Sequence, residues 1–128
     1  MSTLKDYFEK VKGRGVLCTS GKGGSVNAAV FATPHFMEDG SLAFIMPERM
    51  TYANLVENPN AHYLFMEQGA GYRGKRLYLK KTGQETDTER LYTLRRRQHP
   101  DKGGPKTTRH LVFFALEKEL PLIGTGEE

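Results

Sequence analysis

The chain has 128 residues, 38% of them hydrophobic and 27% charged, and a net charge of +4 from 19 basic and 15 acidic side chains. This is the composition of a single soluble globular domain long enough to bury a core. No apolar run reaches membrane-spanning length, a lone cysteine, Cys18, rules out a disulfide framework, and the mild positive charge admits anionic ligands without requiring nucleic acid.

The opening MSTLKDYFEK is charged and amphipathic rather than a secretory signal, so a cytoplasmic protein is expected. Leu4, Tyr7, Phe8 and Val11 recur on one helical face, with Thr3 and Asp6 spaced as a cap and Gly13 and Gly15 as the stop. Val16 to Thr19 predicts a short strand and Ser20 to Gly24 a turn. The glycine-lysine run in that turn fails as a nucleotide loop, because Lys22 is followed by Gly23 and what comes next is a strand, not a helix.

Val26 to Phe36 predicts a strand. Glu38-Asp39-Gly40-Ser41 predicts a tight turn whose Asp-Gly pair suits a type I′ hairpin, and Leu42 to Met46 a buried strand ended by Pro47. A helix should then begin around Arg49 and Thr51, with Thr51 as N-cap, and close at Asn58-Pro59. Helix-initial amides are unpaired and carry partial positive charge. An arginine and a hydroxyl beside them make a phosphate site by ordinary chemistry; a solvated arginine and a plain cap fit the same spacing.

Ala61 to Glu67 predicts another strand and Gln68 to Gly71 a loop. Tyr72 to Thr82 predicts a strand with one wet side, made basic by Lys75, Arg76, Lys80 and Lys81. Thr86 and Glu89 are spaced as a capping pair for a helix with Leu91 and Leu94 on its apolar stripe and Arg90, Arg95, Arg96 and Arg97 around it, ending at His99-Pro100. Asp101 to Lys106 predicts a loop, Leu111 to Leu116 a central strand, and Gly124 to Glu128 a loose tail. The whole is mainly β with flanking helices, one domain over 1–128.

Three other constellations invite a function. His99-Pro100-Asp101 resembles the chaperone-contacting loop of J domains, but that fold needs a long helix after the loop, where Leu111 to Phe114 predicts a strand; ordinary turn chemistry accounts for the tripeptide. His35, His62, His99 and His110 show no metal-ligand spacing; His35, within the stretch 25–59, reads as a structural strand histidine, with a place near a ligand as the other reading. Tyr72, Arg76, Tyr78 and Lys80 leave a nucleic-acid-binding strand open as a rival reading.

The order of segments resembles the FMN-binding split β-barrel, the pyridoxamine 5′-phosphate oxidase-like family, over nearly the full chain. The local match is to small bacterial FMN-binding proteins, in which a Val-Asn pair starts the second strand and a Thr-x-x-Asn helix start binds phosphate; here these are Val26-Asn27 and Thr51-Tyr52-Ala53-Asn54. The resemblance implies a homodimer with FMN in a groove shared by two subunits. Arg49 and Thr51 would hold the phosphate at the helix start that also carries Met50 and Asn54. Asn27, Ala28 and Ala29 would line the ring, with Ile45 and Met46 packed beside it and Lys75 or Arg76 placing positive charge near it. Met50 stands where the family often has a lysine, and the arginine-rich signature of the true oxidase is not found between His110 and Glu128. The implied activity is therefore flavin-dependent electron or hydride transfer to a small-molecule acceptor rather than vitamin B6 oxidation. A non-catalytic flavin or haem carrier on the same fold is the alternative.

Overall fold

Helix α1 (Leu4–Lys10) starts at a capping box: Thr3 Oγ1 accepts from the Asp6 amide at 3.1 Å, and the Thr3 amide donates to Asp6 Oδ2 at 3.3 Å. The computed structural model describes residues 3–98 and 108–124. The His99-Pro100-Asp101 tripeptide, the Asp101 to Lys106 loop and the tail beyond Gly124 lie outside the described residues.

The helix ends at Val11, before the expected glycine stop, and Gly13 and Gly15 instead open strand β1 (Gly13–Ser20). They are small because β1 crosses its neighbour closely. A Cβ at Gly15 would stand 1.9 Å from Tyr63 Oη, and one at Gly13 would stand 2.1 Å from the Met66 carbonyl oxygen. Through the Ser20 to Gly24 turn, β1 pairs antiparallel with β2 (Val26–Phe31). The expected strand over 26–36 is broken in two. β2 stops at Phe31, and β3 (His35–Phe36) resumes after Pro34, which has no N–H to donate to a ladder.

The turn into β4 (Leu42–Pro47) is not type I′. Only Gly40 has positive φ, at 90°; the Gly40 amide donates to Met37 O at 3.0 Å and the Met37 amide to Ser41 O at 2.9 Å. This is a three-residue loop with glycine at the left-handed position.

Helix α2 (Met50–Glu57) starts earlier than Thr51 as N-cap predicts, and strand β5 (Asn60–Glu67) follows as expected. Strands β6 (Gly74–Thr86) and β7 (Arg109–Pro121) are each 13 residues, longer than predicted, because each extends the other's ladder, with register shifts at Tyr78/Leu79 and Lys81/Gly83. Helix α3 (Glu89–Gln98) is capped by Thr88, whose Oγ1 accepts from the Leu91 amide at 3.2 Å. Thr86, the expected cap, belongs to β6 and bonds His110 Nδ1 at 2.9 Å.

The strands form one antiparallel sheet in the order β2-β1-β5-β6-β7-β4-β3. It curls into a half-barrel around Leu17, Tyr63, Phe65, Leu77, Phe44 and Phe114, all buried. Phe8 of α1 enters this core, with its ring centroid 4.9 Å from that of Phe65. Phe31 of β2 meets Phe44 of β4 edge-on at 6.0 Å, so the two ends of the sheet approach without pairing. Helix α2 packs on β1, β2 and β4 and so bridges this split. Helix α3 covers the other face, where Leu91 packs with Ala43 and Leu111. Leu111, Val112 and Phe114 are consequently buried within the chain. Apolar surface is left open on edge strand β2, among other places, where Val26 and Val30 are 74% and 79% exposed.

Candidate functional site

The split between β2 and β4 holds a cleft of ≈ 620 Å³. Asn27, Ala29 and Phe31 form one wall, Ile45, Met46 and Pro47 the other, and the start of α2 closes one end with Arg49, Met50 and Thr51. Seven of the eleven expected site residues are thus brought together: Asn27, Ala29, Ile45, Met46, Arg49, Met50 and Thr51.

The helix end is offset from expectation. α2 begins at Met50, and its N-cap is Arg49, whose extended backbone makes no side-chain hydrogen bond to the helix. The first amides are left uncapped by any side chain, and the first turn carries no acidic residue. Thr51 sits inside the first turn, 6% exposed, and its Oγ1 accepts from Asn27 Nδ2 at 3.3 Å. The side chain expected to cap the helix therefore ties it to β2 and places a hydroxyl at the cleft.

Four expected residues do not line the cleft. Strand alternation turns Asn27, Ala29 and Phe31 to the inside of β2 and leaves Ala28 exposed on the other face. Asn54 donates from Nδ2 to Thr19 Oγ1 at 3.1 Å, fastening α2 to β1. Thr19 is only 3% exposed, so Asn54→Ala would leave a buried hydroxyl short of a partner. A loss of about 1–3 kcal/mol in denaturant unfolding is expected, with flavin selectivity unchanged. Lys75 pairs with Glu119 at 2.6 Å and lies 4.7 Å from the centre of the Tyr7 ring. Arg76 donates to the Pro121 carbonyl at 2.9 Å and to the Gly124 carbonyl. Both positive charges are engaged with α1 and the far end of β7, so Arg76 is not a free member of a basic row with Tyr72, Tyr78 and Lys80 either.

The structure adds two arginines that sequence reasoning left as surface charge or passed over: Arg95 of α3 and Arg109 at the start of β7. The β4–β7 ladder places Arg109 opposite Pro47. Burial, followed by the charges of Arg95 and Arg49, pulls the Arg109 guanidinium below its usual pKa, with Tyr92 and Asp87 opposing. Among the described residues, the buried Arg109 Nε has no hydrogen-bond partner.

His110, next in sequence, holds the geometry. It is 3% exposed and stacks on Tyr52 of α2 with ring centres 3.6 Å apart and planes 3° off parallel. Its Nε2 lies 3.2 Å from Glu48, immediately before the helix N-cap, and its Nδ1 bonds Thr86. The start of α2 is thereby pinned to β6 and β7. Among the described residues, the cleft lining contains no carboxylate, histidine or cysteine. The arrangement offers an anion-binding end and two facing apolar walls.

The fold is that of the split β-barrel proteins, a class that includes FMN-binding and pyridoxamine 5′-phosphate oxidase-like members. An FMN-binding protein from Syntrophomonas wolfei superposes with TM-score 0.65 at 21% identity, covering 91% of this chain and 81% of that one. An F420 reductase gives 0.68 at 16%, covering 93% and 98%. The haem storage protein HutZ from Vibrio cholerae gives 0.64 at 13%, covering 92% and 91%. At these identities the likeness establishes the fold. No protein-family model and no curated protein matches the chain. No helix among the described residues is long and apolar enough to cross a membrane.

Proposed function

We propose that this chain is an FMN-binding flavoprotein that transfers electrons or hydride to a small-molecule acceptor, as a cytoplasmic homodimer. The observation that carries the reading is the uncapped start of α2 opening into the cleft, with Arg49 at its N-cap and the buried Thr51 hydroxyl in its first turn. A helix end of this kind holds a phosphate through amide donors, a hydroxyl and a guanidinium. Ala29 on one wall and Ile45 with Met46 on the other leave a slot suited to a flat ring. The buried Arg109 Nε, without a partner among the described residues, is a further donor, which fits an anionic occupant. When bound, the flavin supplies the redox chemistry; Arg49 and Thr51 anchor it, Asn27 orients Thr51, and the apolar walls exclude water from the ring.

Split-barrel proteins named for FMN, F420 and haem stand among the structural neighbours. The absence of histidine and cysteine from the described lining favours flavin over haem, which is commonly held by an axial side chain of that kind. FMN added to purified protein should lose its fluorescence on binding, and haemin should fail to displace it. Displacement by haemin at equal concentration would overturn the flavin assignment in favour of a haem carrier. Oxidation of a nicotinamide by the loaded protein separates an enzyme from a carrier.

A second copy accounts for the open face. On the outer side of β2, β1 and β5, cross-strand rows run Val30–Val16–Leu64 and Ala28–Cys18–His62. Burial, with Arg76 beside it, holds His62 below its usual pKa, so it is suited to a dry interface in its neutral form. Val30 belongs both to this face and to the rim of the cleft, so a partner seated here would complete the ring site. Light scattering at low micromolar concentration should report a dimer, and Val30→Glu should shift it to monomer with loss of FMN. Monomer in the wild type contradicts the shared site.

A further inference from the structure

The carboxylate of Glu48 stands immediately before the N-cap of α2, one residue from Arg49. It is a built-in rival for a phosphate at that helix end, because a carboxylate there can pair with the adjacent guanidinium and offer its charge to the uncapped amides. Its side chain is 64% exposed, so packing does not restrain it. Among the described residues its one hydrogen bond is to His110 Nε2, at 3.2 Å, and Arg49 is in no ion pair.

We propose that His110 is a positioning residue that holds the Glu48 carboxylate off the anion-binding end of the cleft, and so keeps Arg49 and the first amides of α2 open to a phosphate. That role rests on the reading of this helix end as the flavin's phosphate site, and it adds what sets the affinity of the site.

The surroundings of His110 fit it for this work. An ionised carboxylate only accepts, so Nε2 carries the proton shared with Glu48, and Nδ1 is left to accept from the Thr86 hydroxyl at 2.9 Å. Thr86 stands opposite His110 in the β6–β7 ladder and thereby selects the tautomer that can hold Glu48. The ring cannot turn away, since it is 3% exposed and lies flat on Tyr52. Tyr52 is fixed in turn: its hydroxyl accepts from Gln84 Nε2 at 2.8 Å. Gln84 and Thr86 are two residues apart on β6, so one face of that strand anchors both partners of the stack. An exposed, charged side chain is thus tied to a buried imidazole that has no other orientation open to it.

The test titrates FMN and riboflavin, by fluorescence, into wild type, His110→Phe, Glu48→Gln and the double variant. His110→Phe keeps a flat ring on Tyr52 but cannot donate to Glu48. It should lose FMN affinity about tenfold while riboflavin affinity holds. Adding Glu48→Gln should restore most of that loss, because the rival charge is gone. Equal losses for both flavins with no rescue would mean that His110 only supports the fold, and the proposal is overturned. It is equally overturned if His110→Phe binds FMN as tightly as wild type. Thr86→Val leaves His110 in place and removes the donor to Nδ1, so it serves if His110→Phe does not fold. It should weaken FMN by a smaller factor and be rescued by the same Glu48→Gln change; loss without rescue overturns the proposal. Calorimetry of the same variants with inorganic phosphate keeps the two readings apart. A chain that takes up no flavin, yet binds phosphate less tightly in His110→Phe and recovers with Glu48→Gln, retains the role of His110 and loses only the flavin assignment.

Discussion

Replacing Arg49 with alanine is expected to weaken FMN binding roughly ten- to a hundredfold and to leave riboflavin nearly unaffected. FMN carries a phosphate dianion and riboflavin does not. A hydrogen bond to a charged group is worth roughly 1.5–3 kcal/mol, and about 1.4 kcal/mol is a factor of ten in affinity. Arg49 makes no side-chain bond to α2, so its removal leaves the helix without a lost cap. Thr51→Ala should cost FMN less, since a neutral hydroxyl bond is weaker and the helix amides remain. It also frees Asn27 Nδ2 from its 3.3 Å partner, so some loss for both flavins is expected there. Fluorescence titration of both flavins against wild type and each variant measures the difference. Equal losses for FMN and riboflavin in Arg49→Ala would mean that Arg49 supports the fold and not the phosphate.

The second large effect concerns the scaffold. Gly15→Ala should destabilise the protein by about 3 kcal/mol, at the upper end for overpacking a core. The added methyl would stand 1.9 Å from Tyr63 Oη and 2.1 Å from Cζ. Tyr63 cannot swing away: it is fully buried, its ring lies 5.0 Å from that of Phe44, and its hydroxyl donates to Phe31 O at 3.1 Å. That last bond holds the end of β2 at the cleft wall, so the variant should weaken flavin binding as well. Gly23→Ala is the control. A Cβ there meets nothing within 4 Å, and a change within about 0.5 kcal/mol is expected. Chemical denaturation of the two variants tests the contrast. A Gly15→Ala protein as stable as wild type would mean that the β1–β5 crossing relaxes far more easily than its packing implies.

Elements carrying their own local signal were legible in the sequence. The Thr3–Asp6 box, the β4 run ended by Pro47 and the helix closed at Asn58 all appear where expected. What the sequence concealed depended on partners far along the chain. β6 and β7 extend past their apolar centres because each offers the other a ladder, and nothing local in Gly83 to Thr86 or Glu117 to Pro121 announces that. Pro34 did carry a local signal, and the apolar residues around it masked the break. Thr86 had the spacing of a cap but was claimed by β6 and His110, which left the role to Thr88.

The site follows the same division. Arg49 and Thr51 lie close together in the chain at a recognisable helix start, and Asn27 is marked by the Val26-Asn27 pair of the resemblance; all three line the cleft. Ala28 is one residue out of register with the inner face, which strand alternation shows once the face is known. Lys75 and Arg76 were candidates only for their charge, and the pairings with Glu119 and with the carbonyls at the end of β7 give that charge other work. Arg109 could be recognised only through the β4–β7 register, which sets it opposite Pro47 across more than sixty residues of chain.

The account turns on where a bound flavin places its phosphate, and a crystal structure of the protein grown with FMN answers that directly. The expected result is a phosphate within about 3 Å of the Thr51 hydroxyl, an α2 amide and the Arg49 guanidinium, with the ring running along Ala29 and Met46. A phosphate bound away from the start of α2, or crystals and solutions in which the protein takes up no FMN at all, would contradict it.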